Sequence, residues 1–411
     1  MRAGLLSRYR VLDLADARGL LAGRMLADLG ADVVLVEPPD GSPARRHPPL
    51  VGAGVAQRAA YWEALAANRR GIVADLTAPA GRDRLRSLAR HADVLIDSRG
   101  PGVLDAAGLS YEQLRELNPA LVHVTITAFG RSGPKRDYAE TDLVVWAAGG
   151  PLDPNRDGDL PPVRISADQA YLHAGADAAA GALMALTARR RTGRGQHVDV
   201  SAQASLGVAT LGRILAAAAG DEAPEWEPKV AIDQSGSGAG TRRSKWEVRD
   251  GLVELHLAMG PAAGSFTNAF FAWMKEEGEL PEDLAAWDWR ALPAQLRSGE
   301  RTPADLDRVR TLVAAFLAGR TKDEVTAAAL RRRLLCVGIS DPADLATSPH
   351  LAERGFFVEV GEGERRVRLP GPFARMPAGA FAHTRPAPLL GEHDDEVDGE
   401  WLRATLAGAS S

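Results

Sequence analysis

Residues 9–37, YRVLDLADARGLLAGRMLADLGADVVLVE, decide the fold class. Residues 9–14 (YRVLDL) read as a buried strand, 19–29 (GLLAGRMLADL) as a helix and 32–37 (DVVLVE) as a second strand. Strand, helix and strand within about 30 residues form a βαβ unit, and that unit implies parallel pairing.

The same pattern continues outward. Residues 72–76 predict a strand, 80–90 a helix, 92–97 (ADVLID) a strand, 111–117 a helix and 121–127 (LVHVTIT) a strand. Such alternation predicts an α/β fold with a Rossmann-like, doubly wound parallel sheet. Chemistry in these sheets collects beyond the carboxyl ends of strands, here after Leu14, Glu37, Asp97 and Thr127. An alanine-rich helix follows Asp168 as far as Arg191 and is stopped by Thr192-Gly193-Arg194-Gly195-Gln196. A short strand over 196–200 and a helix over 201–219 come next.

Composition then shifts. Residues 221–229 are acidic, contain Pro224 and Pro228, and read as a linker. Residues 246–249 and 252–257, joined by Asp250-Gly251, predict a hairpin. Residues 262–333 are helical and charged, 334–339 (LLCVGI) resume a buried strand, and 370–388 form an extended proline- and alanine-rich tail. The expected organisation is a large α/β domain begun by 1–225, a smaller α+β domain over 226–333, and a return to the large domain over 334–411.

The chain has 411 residues, 45% hydrophobic and 25% charged, with a net charge of -5, and this balance argues against general nucleic-acid affinity. Cys336 is the only cysteine, so neither an intrachain disulfide nor a cysteine-based metal site is available. The nine histidines lack H-x-x-H or H-E-x-x-H spacing, and no metal is expected. No segment reaches about 18 uninterrupted apolar residues, so the expectation is a soluble, cytoplasmic protein with no membrane partner.

Few motifs point to chemistry by themselves. The turn Asp16-Ala17-Arg18-Gly19 is not G-x-G-x-x-G, and nothing fits a P-loop, so dinucleotide chemistry is disfavoured. That turn does place Arg18 near a helix start, where backbone N–H groups favour anions. Arg45-Arg46 on a proline-stiffened loop and Arg69-Arg70 before a strand read either as solvated basic patches or as a polyanion clamp. Asp168 reads either as a helix cap or as a nucleophile kept ionised by the helix head. Neither His173 nor Asp177 shares its helical face, so its partners come from other segments. Glu140-Thr141-Asp142 is one such segment. The glycine-rich Gly236-Ser237-Gly238-Ala239-Gly240 is another, readable equally as a closing loop or as a linker.

Together these stretches resemble the family III CoA-transferases, a group that also contains the α-methylacyl-CoA racemases. The likeness includes VLDLADARG (11–19), LADLGADVVLVEPPDGSPARR (26–46), NRRGIVADL (68–76) and GRDRLRSLARHADVLID (81–97). It continues through ARRRTGRGQHVDVS (188–201), SPHLAERGFF (348–357) and PAPLLGEHDDEV (386–397). The resemblance implies a homodimer with interlocked chains, CoA thioesters as substrates and no permanently bound cofactor. It places the catalytic aspartate at Asp168 and CoA contacts at Ala17, Arg18, Gly19, Arg45, Arg69 and Arg70. Gly236, Gly238 and Gly240 correspond to the family's glycine-rich loop. The implied chemistry passes CoA from an acyl thioester to an acceptor acid through a mixed anhydride and an aspartyl-CoA thioester. The first turn carries Ala17 where some transferases place glutamine. Thr141 stands where the racemase branch has histidine, and Asp142 stands where transferases of small acids carry glutamate. Transfer is therefore favoured over racemisation, with a non-catalytic CoA-binding paralogue as the third possibility.

Overall fold

A computed structural model describes residues 4–51, 58–153, 155, 161–165, 167–211, 215, 218, 220, 244–371, 373–374 and 385–402. The chain divides into two compact units. The larger comprises Met1–Arg156, Pro161–Gly220 and Ala352–Ser411; the smaller comprises Asp157–Leu160 and Asp221–Leu351.

In the larger unit the elements run β1 (Arg10–Asp13), α1 (Leu20–Asp28), β2 (Asp32–Glu37), a two-residue ribbon of β3 (Leu50–Val51) and β4 (Arg58–Ala59), α2 (Ala60–Leu65) and β5 (Arg70–Val73). They continue with α3 (Pro79–Ala89), β6 (Val94–Asp97), α4 (Val103–Ala106), α5 (Tyr111–Leu117), β7 (Val122–Thr127), α6 (Asp142–Gly149), α7 (Ala170–Thr192), β8 (His197–Ser201) and α8 (Ala202–Gly207). Six strands form one sheet in the order β5-β2-β1-β6-β7-β8, and every pairing in it is parallel. The strand order reverses between β1 and β6, which opens a crevice beyond their carboxyl ends.

Alternating strand residues serve the two faces of this sheet. Val11, Val33, Val94, Ile96, Val122 and Val124 join α1 and α7 on one side. Leu12, Val34, Ile72 and Leu95 join Leu85, Leu88, Leu114 and Trp401 on the other. Alanine has a structural use in α7, where Ala174, Ala178, Ala182 and Ala185 lie buried. At Gly175 a Cβ would lie 3.0 Å from the Leu21 Cβ, so α7 and α1 approach to a distance that larger side chains would prevent. Gly193, at φ 69°, ends α7, and its N–H donates to the Arg189 carbonyl at 2.8 Å.

The C-terminal segment covers the β5 edge. The His393 N–H donates to Gly71 O at 2.9 Å, Gly71 N–H to His393 Nδ1 at 3.2 Å, and Val73 N–H to Asp394 Oδ1 at 3.1 Å. An edge that could otherwise pair with another chain is thereby satisfied.

The smaller unit contains β9 (Lys245–Val248), β10 (Gly251–Leu255) and β11 (Cys336–Ile339), antiparallel in the order β11-β10-β9. Trp246, Phe270, Trp273, Trp289 and Phe316 dominate its core. The strand expected at 334–339 does not resume the large sheet: Cys336 lies opposite Leu255 of β10. The preceding helix, Lys322–Arg332, ends at Arg333 with φ 56°, and so short a connection reaches only the neighbouring free edge. The chain re-enters the larger unit at Ala352, not at residue 334.

Candidate active site

The crevice between β1 and β6 is closed at its base by polar contacts between the two following loops. The Asp16 N–H donates to Ser98 Oγ at 3.0 Å, and the Ser98 hydroxyl donates to Asp16 Oδ1 at 2.9 Å. A Cβ on Gly19 would lie 2.8 Å from the Ala15 Cβ and 3.0 Å from the Ser98 Cβ, so only glycine permits this approach. Arg18 folds back on Asp16, with Nη2 2.6 Å from Oδ2, and its Nη1 pairs with Glu140. The other Glu140 oxygen accepts from the Tyr171 hydroxyl, and the Ala17 carbonyl accepts from the Tyr61 hydroxyl at 2.9 Å. Burial pushes both phenols upward, so each stays a neutral donor. The N–H groups of Arg18 and Gly19 donate to Asp16 Oδ1 and Asp16 O, each at 3.0 Å. They are not open donors for a developing oxyanion, contrary to the expectation for this turn.

Asp168 lies just outside α7. The N-cap is Gln169, and no side chain of the N-cap residue bonds into the helix. Capping falls instead to Asp142, whose Oδ1 accepts the Ala170 N–H at 2.8 Å. The two readings of Asp168 therefore separate: a second carboxylate takes the backbone donor, and Asp168 remains 40% exposed. Arg164 Nη1 approaches Asp168 Oδ1 at 3.0 Å and Asp142 Oδ2 at 3.3 Å, bridging the two carboxylates. His47 Nε2 stands 3.9 Å from Asp168 Oδ2, and its ring packs against Tyr61 at 5.0 Å. Burial, followed by the charge of Asp168, pushes the Asp142 carboxyl above its usual range even though the Ala170 N–H opposes the shift. His173 and Asp177 are both exposed on α7.

A family model, CoA-transferase family III, matches residues 6–394. The chain belongs to the CoA-transferase family III. It is thus an enzyme of CoA transfer. It is 33% identical over 404 residues to the succinyl-CoA:(R)-benzylsuccinate CoA-transferase subunit BbsE of Thauera aromatica, covering 95% of this chain and 93% of that one. It is 29% identical over 416 residues to the formyl-CoA:oxalate CoA-transferase of Streptomyces avermitilis, covering 95% and 94%. Among solved structures, a CAIB/BAIF family protein from Brucella suis superposes with a TM-score of 0.81 at 26% identity, covering 97% of this chain and all of that one.

A CoA-transferase must hold a polyanionic carrier, yet the arginines expected to do so are engaged elsewhere. Arg45 spends its fork on Glu37, at 2.7 Å and 2.6 Å, gives a third bond to Pro388 O at 3.0 Å, and stacks 4.1 Å over the Trp62 ring. Arg69 is wholly buried, paired with Asp13 and bonded to the carbonyls of Leu20 and Leu65. Arg70 sits at the amino end of β5, the wrong end of a parallel sheet for ligands, with a side chain only 6% exposed. It pairs there with Asp32, Glu396 and Glu400. These three arginines hold the fold together and are not open to phosphate in this structure. Arg46, by contrast, is exposed.

The loop with Gly236, Gly238 and Gly240 lies outside the described residues, as does most of the tail before Arg385. Among the described residues no group of three His, Cys, Asp or Glu side chains is placed to hold a metal ion, and no helix is long and apolar enough to cross a membrane. The sequence reading missed Arg164, His47 and Tyr61. Arg164 had a legible signal, four residues ahead of Asp168, whereas His47 and Tyr61 reach the site only through the fold.

Proposed function

We propose that this enzyme moves CoA from an acyl-CoA thioester to an acceptor carboxylic acid, with Asp168 as the nucleophile. The supporting observation is that Asp168 stays half-exposed and free of the helix cap, because Asp142 takes the Ala170 N–H. A solvent-accessible carboxylate whose oxygens are not tied to the helix backbone is free to reach a thioester carbon.

The steps follow from covalent catalysis. An Asp168 oxygen bonds to the donor carbonyl carbon and the C–S bond breaks, giving a mixed anhydride and CoA thiolate. The thiolate attacks the Asp168 carbonyl carbon and expels the donor carboxylate, leaving aspartyl-CoA. An acceptor carboxylate then reverses both steps and departs as its thioester. No net proton moves, so the site needs cations more than acid–base pairs. Arg164 supplies one, with Nη1 3.0 Å from Asp168 Oδ1. The names of both relatives pair a CoA thioester with a carboxylic acid, and this reading carries that pairing to the present chain.

The geometry disfavours racemisation. Two-base proton exchange puts the α-carbon between the bases, each about 3–3.5 Å away, and so needs roughly twice that separation. His47 stands only 3.9 Å from Asp168, and Thr141 caps α6 through the Val144 N–H at 3.3 Å. We further propose a cytoplasmic, interlocked homodimer that takes CoA thioesters as substrates and binds them on the larger unit, with no resident cofactor. The test is Asp168→Ala, which should abolish transfer while leaving CoA affinity within about tenfold. Full turnover by that variant would remove the mechanism.

A further inference from the structure

We propose that Arg164 forms the acceptor-carboxylate subsite, alternating between Asp168 in the resting enzyme and the substrate carboxylate in the acylated one. The proposal rests on Asp168 being the nucleophile.

In the resting site one guanidinium nitrogen lies 3.0 Å from Asp168 and 3.3 Å from Asp142, so Arg164 bridges two anions. Acylation removes one of them, because Asp168 in the anhydride or the thioester is neutral. Asp142 stays anchored on the Ala170 N–H at 2.8 Å and 3.3 Å from Arg164, which keeps the guanidinium in place with a vacated contact. From aspartyl-CoA onward, the anion that must reach the Asp168 carbonyl carbon is the acceptor carboxylate. Its oxygen bonds to that carbon as the C–S bond of aspartyl-CoA breaks and thiolate leaves. The thiolate next attacks the acceptor carbonyl, the C–O bond to Asp168 breaks, and the Asp168 carboxylate returns to Arg164. A cation 3.0 Å from the reacting carboxyl group is placed to receive each carboxylate in turn, including the departing donor acid. With a side chain 30% exposed on the segment preceding Asp168, the guanidinium is open to solvent-borne acids.

The prediction separates anionic from neutral nucleophiles. With succinyl-CoA as the probe donor, hydroxylamine captures activated Asp168, or the acyl group of the anhydride, without needing a cation. Arg164→Gln should slow hydroxylamine-dependent CoA release, since Arg164 also touches resting Asp168, but by far less than it slows succinate exchange. Its exchange of carbon-labelled succinate into succinyl-CoA should fall by about tenfold to a hundredfold, with a raised KM for succinate. Arg164→Lys should recover part of that loss by restoring the charge. Equal losses in both assays, or no loss of succinate exchange, overturns the assignment. Absence of hydroxylamine-dependent CoA release in the wild type sinks the Asp168 reading and this inference with it. Thermal melting of each variant distinguishes a folding defect, which would lower both rates and the Tm together.

Discussion

His123→Leu should make the enzyme less sensitive to acid. His123 lies on β7, wholly buried, with neither ring nitrogen hydrogen-bonded, beside the rings of His197 at 5.3 Å and Tyr111 at 6.2 Å. Burial, aided by repulsion from His197 and Arg131, pushes its pKa down from 6.5 to about 3. The sign follows by linkage. A histidine with a depressed folded pKa stays neutral in the native state while the unfolded chain takes up a proton below pH 6.5. Stability therefore falls as pH drops through that value and levels off only near pH 3. One proton is worth about 1.4 kcal/mol per pH unit, so wild type should lose about 2 kcal/mol between pH 7 and pH 5 that the leucine variant does not lose. Urea unfolding of both proteins at both pH values, followed by far-ultraviolet circular dichroism, gives the double difference in which other titrating groups cancel. Equal pH dependence of the two proteins would refute the reasoning, because a dry, unpartnered imidazole cannot fold in its charged form at that cost.

Asp142→Asn keeps an oxygen for the Ala170 N–H but removes the charge that Arg164 shares. Because the fold raises the Asp142 pKa, its ionised form is a destabilising element above that pKa. The asparagine variant should therefore melt no lower than wild type at neutral pH while its transfer rate falls about tenfold, as Tm and kcat would report. Gly23→Ala places a methyl group against the buried Asp13 and Arg69 side chains. Displacing a buried ion pair should cost about 3 kcal/mol and lower the Tm by several degrees.

Local signals were read well where local chemistry sets the element. β2 falls on Asp32–Glu37 as its apolar run predicts, and α5 on Tyr111–Leu117 because Ser110 and Gln113 close a capping box. The strand expected at 72–76 is shifted to Arg70–Val73 because Asp32, Glu396 and Glu400 draw Arg70 onto the sheet. Two of those partners lie more than 300 residues away along the chain, beyond any windowed reading. The same cause misdirected the arginine pairs: Glu37 and Asp13 claim Arg45 and Arg69 only once β1, β2 and α1 are assembled. Within the site, Asp168 and Asp142 could be named from sequence, but not which of them caps α7. That division depends on where α6 ends up, and residues 142–149 were not expected to be helical.

The central claim is that an oxygen of Asp168 becomes bonded to substrate and is exchanged in every transfer. A single turnover with an acceptor acid carrying heavy oxygen in its carboxylate tests it directly, with the peptide containing Asp168 then weighed by mass spectrometry. If Asp168 is the nucleophile, that peptide gains one heavy oxygen atom, left behind when thiolate cleaves the second anhydride. An unlabelled Asp168 peptide after complete turnover would contradict the account.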